Sequence, residues 1–138
     1  MTYALRHFQA WEFIPRIIYE KMGDDSLVLI KTVLLITADD IREHFGVPVT
    51  INDYLSGGDR EFRGFRPAYC MIGADASEHR LGGAFDCDIR GVPASEARKE
   101  IMSNGNKFPY LTRMEAGVDW LHCDVKDTGI EGITLFNA

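Results

Sequence analysis

The chain has 138 residues, of which 46% are hydrophobic and 26% charged, and its formal net charge is −6. That length fits one domain, 1–138, with enough chain for a core. The charge excludes nucleic-acid binding through a broad basic surface. The three cysteines (Cys70, Cys87, Cys123) are odd in number and widely spaced, so neither a disulfide framework nor a CxxC thiolate site is expected.

Residues 1–7 lack a basic stretch followed by an apolar run, so no signal peptide is expected. Phe8, Trp11, Ile14, Ile18 and Met22 recur at helical spacing, and Pro15 is placed to kink or divide that helix. Gly23-Asp24-Asp25 breaks the run. Ser26 is read as the cap of a second helix reaching about Ile36. The apolar stretch 27–38 is interrupted by Lys31 and is too short to span a membrane. Thr37-Ala38-Asp39-Asp40 resembles a capping box with Asp in the fourth place, and predicts a short helix over 41–45 that stops at Gly46.

Residues 47–51 read as a strand, and the polar, glycine-rich 52–64 as a loop. In 84–89, Phe85, Cys87 and Ile89 alternate with Ala84, Asp86 and Asp88. Pro93 opens a helix ending near 103–105. Residues 107–113 are a candidate strand. In 120–125, Leu121, Cys123 and Val125 alternate with Trp120, His122 and Asp124. A last short strand is expected within 132–136. Helices thus fill the first third and strands the rest, which implies an α+β domain with a central, mostly antiparallel sheet. If the strands of Asp86 and His122 are neighbours, their polar faces meet, and the cysteine faces pack against helices.

The chemistry concentrates in two segments. The first, 77–86, holds His79 and Asp86 seven residues apart, with glycine and alanine between them. The second holds Asp119 and His122. Two histidines and one aspartate make a three-ligand site for a divalent metal, which leaves a further position open for water. Zinc suits that set, although other first-row metals accept it. Asp119 is placed to act as a base, and Glu115 competes for the role. Arg66, or alternatively Arg63, is placed to bind a substrate carboxylate or a developing oxyanion. Ser77 either contacts a ligand or substrate or serves the turn. Asp88 and Asp124 are candidate partners for the imidazoles. Arg60, Arg63, Arg66 and Arg80 crowd around this site in sequence and allow a locally positive cleft. His7 and His44 fit no ligand spacing.

Ser77-x-His79-x-x-Gly82-x-Ala84-x-Asp86, followed by Asp119-x-x-His122, resembles the signature of the LAS-type zinc peptidases, the group of lysostaphin, D-alanyl-D-alanine carboxypeptidase and Sonic hedgehog. It most resembles the D-alanyl-D-alanine carboxypeptidase branch, with its small phage and prophage cell-wall peptidases. Gly64-Phe65-Arg66-Pro67 resembles that branch's Gly-Tyr-Arg-Ser-Pro element, and Trp120-Leu121-His122-x-Asp124 is a typical run. The resemblance covers about 47–125. The chain departs from the pattern in a shorter arginine-to-histidine segment, in Asp rather than Glu at 119, and in Trp120 where some members have histidine. The resemblance implies a hedgehog/D,D-peptidase-like α+β fold, with zinc on His79, Asp86 and His122. It also implies zinc-bound water as nucleophile, Asp119 as base and Arg66 on the substrate. The implied substrate is a bacterial peptidoglycan stem peptide, cut by a carboxypeptidase or by a lytic endopeptidase. The expected protein is a monomer with no nucleic-acid or membrane partner. It would be made in the cytoplasm and reach the cell wall or periplasm by holin-type release. The alternatives are a non-catalytic zinc-containing binding module, or a virion or tail structural protein of the same fold.

Overall fold

In the computed structural model, residues 3–72 and 77–137 are described. The α-helices are α1 (Arg16–Met22), α2 (Thr32–Phe45) and α3 (Ala94–Ser103). The strands are β1 (Val49–Thr50), β2 (Ala84–Ile89), β3 (Arg113–Glu115), β4 (Leu121–Asp124) and β5 (Thr134–Phe136). They form one five-stranded sheet in the order β1-β2-β4-β3-β5. Every neighbouring pair is antiparallel except β3 and β5, so the sheet is mixed. The α+β class holds. Among the described residues no helix is long and apolar enough to cross a membrane.

The N-terminal third departs from the sequence expectation. Pro15 does divide the first run: a 3-10 turn (Ala10–Glu12) precedes it, and α1 starts directly after it. Ser26 does not cap a helix over 26–36. It is buried inside a second 3-10 turn (Gly23–Leu29), and its Oγ donates to the Gly23 carbonyl at 2.6 Å. The expected short helix at 41–45 is instead the second half of α2, which runs unbroken through Thr37–Asp40 and stops at Gly46. The polar residues of that run are used differently. Thr37 Oγ1 donates back to the Val33 carbonyl at 2.8 Å. Asp39 is fully buried and accepts from Tyr3 Oη at 2.7 Å, Arg6 N at 2.9 Å and His7 N at 3.1 Å. A carboxylate with three donors has no need to end a helix. Residues 107–113 also differ: a 3-10 turn (Gly105–Lys107) comes first, and the strand begins only at Arg113.

The sheet has one apolar and one polar face. Phe85, Cys87, Ile89, Met114, Leu121 and Cys123 are buried in a common core with Leu34, Leu35, Ala38 and Ile41 of α2 and Ala97 and Ile101 of α3. All three cysteines are free and buried, and burial in the core raises the Cys87 and Cys123 thiols above their ordinary range. The other face presents Asp86, Asp88, His122 and Asp124, with Arg113 and Glu115 on β3. The register sets Asp86 opposite His122.

A long loop lies across this polar face. Asn52, also buried, is its pin. Its backbone N–H donates to the Glu12 carbonyl at 3.0 Å, its Nδ2 reaches the Trp11 and Ile14 carbonyls, and its Oδ1 accepts the Arg63 N–H at 3.0 Å. Asp86 N donates to the Arg63 carbonyl at 2.7 Å, and Phe65 N to the Phe13 carbonyl at 2.8 Å. These bonds fix the loop and turn the sheet's polar face into a covered site.

Candidate metal centre

Three local structures deliver the candidate ligands. His79 stands in a 3-10 turn (Glu78–Leu81) capped by Ser77, whose Oγ accepts the His79 N–H at 3.2 Å. Gly82 ends that turn at φ 71, a conformation that favours glycine. It also lies against the Leu29 carbonyl, with no space for a Cβ. Asp86 and His122 come from neighbouring strands β2 and β4. All three side chains are buried, and one ligand atom from each lies within 4.8 Å of the others. This is the one such group among the described residues.

The geometry fits a metal ion. His122 Nδ1 is 2.9 Å and His79 Nε2 is 3.4 Å from the same Asp86 Oδ1. A tetrahedral site with bonds near 2 Å has ligand–ligand edges of about 3.3 Å, so small shifts would admit an ion. Each ligand's other polar atom is already engaged. His79 Nδ1 lies 2.9 Å from the Gly64 carbonyl, His122 Nε2 2.8 Å from Asp124 Oδ2, and Asp86 Oδ2 3.0 Å from Arg66 Nη2. A carbonyl only accepts, so the Gly64 contact uses Nδ1 as donor and leaves Nε2 as the ring atom turned toward Asp86. Such outer partners fix ring orientation and raise ligand basicity.

The outer partners are held in turn. Asp124 is fully buried and receives Arg113 through Nε at 2.9 Å and Nη2 at 2.8 Å. The Arg113 guanidinium lies 4.0 Å over the Phe136 ring, and that ring meets His122 edge-on at 5.5 Å between centroids. Gly64 fits against Phe13, where a Cβ would overlap the Phe13 carbonyl.

The electrostatics follow from this clasp. Burial favours neutral His122, but Asp124 and Asp86 outweigh it and raise its pKa to about 9. Burial likewise favours neutral Asp86, yet His122 and His79 hold its carboxyl well below the usual range. Asp124 is also lowered, with burial opposed by His122 and Arg113. Burial lowers the Arg66 pKa, while Asp86 and more weakly Glu115 support its charge.

The other predicted site residues divide. Arg66 is at the centre: besides Asp86, its Nε donates to the Phe62 carbonyl at 2.8 Å. Arg63 binds Asp88 Oδ2 at 2.8 Å at the far edge of the polar face, so Asp88 serves an arginine and Asp124 serves the histidine. The Ser77 hydroxyl serves the turn that presents His79. His7 and His44 pair with Glu43 and Glu100 away from the centre. Asp119 is exposed and lines a small crevice with Cys87, Asp88, Ala97 and Leu121, beside α3. Among the described residues no hydrogen bond or ion pair ties it to the three ligands. Glu115 lies in a different place. The β3–β4 register pairs Arg113 with Asp124 and Met114 with Cys123, and one further step sets Glu115 level with His122 on the same face.

The Gly64 carbonyl and the Arg113 clamp were not legible in the sequence. The two-residue alternation that singled out His122 and Asp124, applied to 113–115, would have placed Arg113 and Glu115 on that same face.

No protein-family model matches the chain, and no curated protein or solved structure matches it. The class that fold and site define is therefore an α+β domain with a buried His-Asp-His group able to hold a metal ion.

Proposed function

We propose that the protein is a zinc-dependent peptidase of the LAS type that hydrolyses a peptide bond in bacterial peptidoglycan stem peptides. The observation that supports this most is the convergence of His79 Nε2, Asp86 Oδ1 and His122 Nδ1, each on a side chain whose other polar atom is pinned. A structural metal site is closed on all sides, whereas this one adjoins a cleft of about 360 Å³ that Asp86, Arg66 and Trp120 help to line.

When bound, the ion would acidify a water molecule and polarise the scissile carbonyl. The chain's own residues supply the rest. His79, Asp86 and His122 hold the ion. Arg66, fixed by Phe62 and Asp86, keeps N–H donors for a substrate oxygen and stabilises the charge that develops there. Asp119 takes the proton from the attacking water and returns it to the leaving amine. It would have to swing from its crevice on the bend before β4. Glu115 is the second candidate base, favoured by its level with His122.

The test is to digest purified peptidoglycan with zinc-loaded protein and identify the released fragments by mass spectrometry, with Asp119→Asn and Glu115→Gln alongside. Release of D-alanine or of stem peptides by the wild type is the expected result and names the bond. The variant that retains zinc and loses turnover identifies the base. A protein that holds one zinc per chain yet releases nothing from several wall chemistries is instead the binding module.

A further inference from the structure

The cleft beside Asp86 holds two features that the ligand set and Arg66 do not explain. The first is Trp120. It precedes His122 by two residues and is 38% exposed on the cleft wall. Phe62 and Ile72 line the cleft as well, and Ile72 is also exposed. A large exposed indole next to a buried polar centre provides a flat apolar surface with a polar edge, as binding sites use it.

The second feature is Arg60. Three arginines line the cleft. Arg66 is engaged by Asp86 and Arg63 by Asp88, whereas among the described residues no ion pair engages the Arg60 guanidinium. Its backbone is nonetheless fixed: Arg60 N donates to Asp53 Oδ1 at 2.9 Å, and the Arg60 carbonyl accepts from Asp53 N at 3.1 Å. The side chain therefore rises from an anchored position at the rim. The charges of the lining balance, because Asp59, Glu61 and Asp86 offset the three arginines. A divalent ion on the neighbouring ligands would leave the cleft positive.

We propose that this cleft is a binding subsite for a peptide segment bearing a side-chain carboxylate, with Arg60 binding the carboxylate and Trp120 supporting the segment. The bond-cleaving role of the site rests on the peptidase reading above, but the subsite does not, because binding can be followed without turnover.

Trp120 provides the signal. The chain has two tryptophans, and the other, Trp11, packs edge-on against Tyr54 with centroids 5.4 Å apart, outside the cleft lining. Zinc-loaded Trp11→Phe protein is titrated with alanine hexapeptides of both chiralities, acetylated at the N-terminus and amidated at the C-terminus. Each carries one glutamate two residues from the central bond, or glutamine in its place. Trp120 emission is expected to change on binding, with glutamate peptides bound about tenfold or more tighter than their glutamine counterparts. Arg60→Gln is expected to abolish that preference while leaving zinc content intact. A preference that survives Arg60→Gln overturns the proposal, and so does a saturating peptide that leaves Trp120 emission unchanged. Selective binding without cleavage would leave the subsite standing and remove only the peptidase reading.

Discussion

His122 is held at both ring nitrogens by carboxylates, and that clasp dictates how the metal-free protein responds to pH. Its pKa of about 9 lies above the ordinary value of 6.5, so the stability it contributes is complete below about pH 6.5 and is lost as pH rises through 9. Asp86 and Asp124 have depressed values, and their contribution is present above the ordinary carboxylate range and is lost as pH falls from that range through the depressed values. Metal-free protein is therefore expected to unfold at its highest temperature between about pH 4 and 6.5, as thermal melts in chelator will check. A metal ion needs neutral imidazole, so the gain in melting temperature on adding zinc is expected to grow from pH 6 to pH 8. Asp124 belongs to the same scale. Asp124→Asn keeps the shape but weakens the acceptor for His122 Nε2 and the clamp from Arg113. Zinc affinity is expected to fall about 10- to 100-fold, measured by competition with a chromogenic chelator. An unchanged affinity would show that the outer carboxylate does not tune the site.

At the scale of elements, two connections carry more than their sequences suggest. Asp39 on α2 binds the N-terminal segment through Tyr3, Arg6 and His7, and Arg6 also pairs with Glu43. Asp39→Ala leaves two backbone N–H groups and a phenol without their acceptor, at an expected cost of about 1–3 kcal/mol in urea unfolding. The metal centre is untouched, so zinc affinity per folded molecule is expected to hold. Gly82 acts on the centre itself. Its positive φ and its contact with the Leu29 carbonyl set the end of the turn that carries His79. Gly82→Ala is expected to lower stability by more than about 1 kcal/mol and to weaken zinc binding together with it, read by thermal melts with and without zinc.

Across the whole molecule, the candidate ligands bring the 3-10 turn of His79 against two neighbouring strands, and the loop over 52–66 closes above them. A ligand that binds only the folded arrangement stabilises it by mass action. Zinc at 1,000 times its dissociation constant is expected to add about 4 kcal/mol, lost on chelation. A melting temperature that does not respond to any divalent metal would remove the metal centre from the account.

The sequence by itself determined the strands β2 and β4, α3 and the three candidate ligands. The two-residue alternation in 84–89 and 120–125 is local, and a sheet with one buried face has to obey it. The same alternation put the cysteines in the core and Asp86 and His122 on the other face. It did not determine the N-terminal helices. Ser26 and the run Thr37-Ala38-Asp39-Asp40 looked like capping sequences, and a cap is the default use of such residues only when no distant partner competes. The partners that won, from the Gly23 carbonyl to Tyr3 and the N–H groups of Arg6 and His7, became available through folding. Only the tertiary structure decided which atoms hold the ligands: the Gly64 carbonyl on His79, Asp124 with Arg113 on His122, and Arg66 on Asp86. It also separated the three arginines, giving Arg63 to Asp88, Arg66 to the centre and Arg60 to the rim. Those assignments depend on distances between residues up to 25 positions apart, which pattern along the chain does not encode.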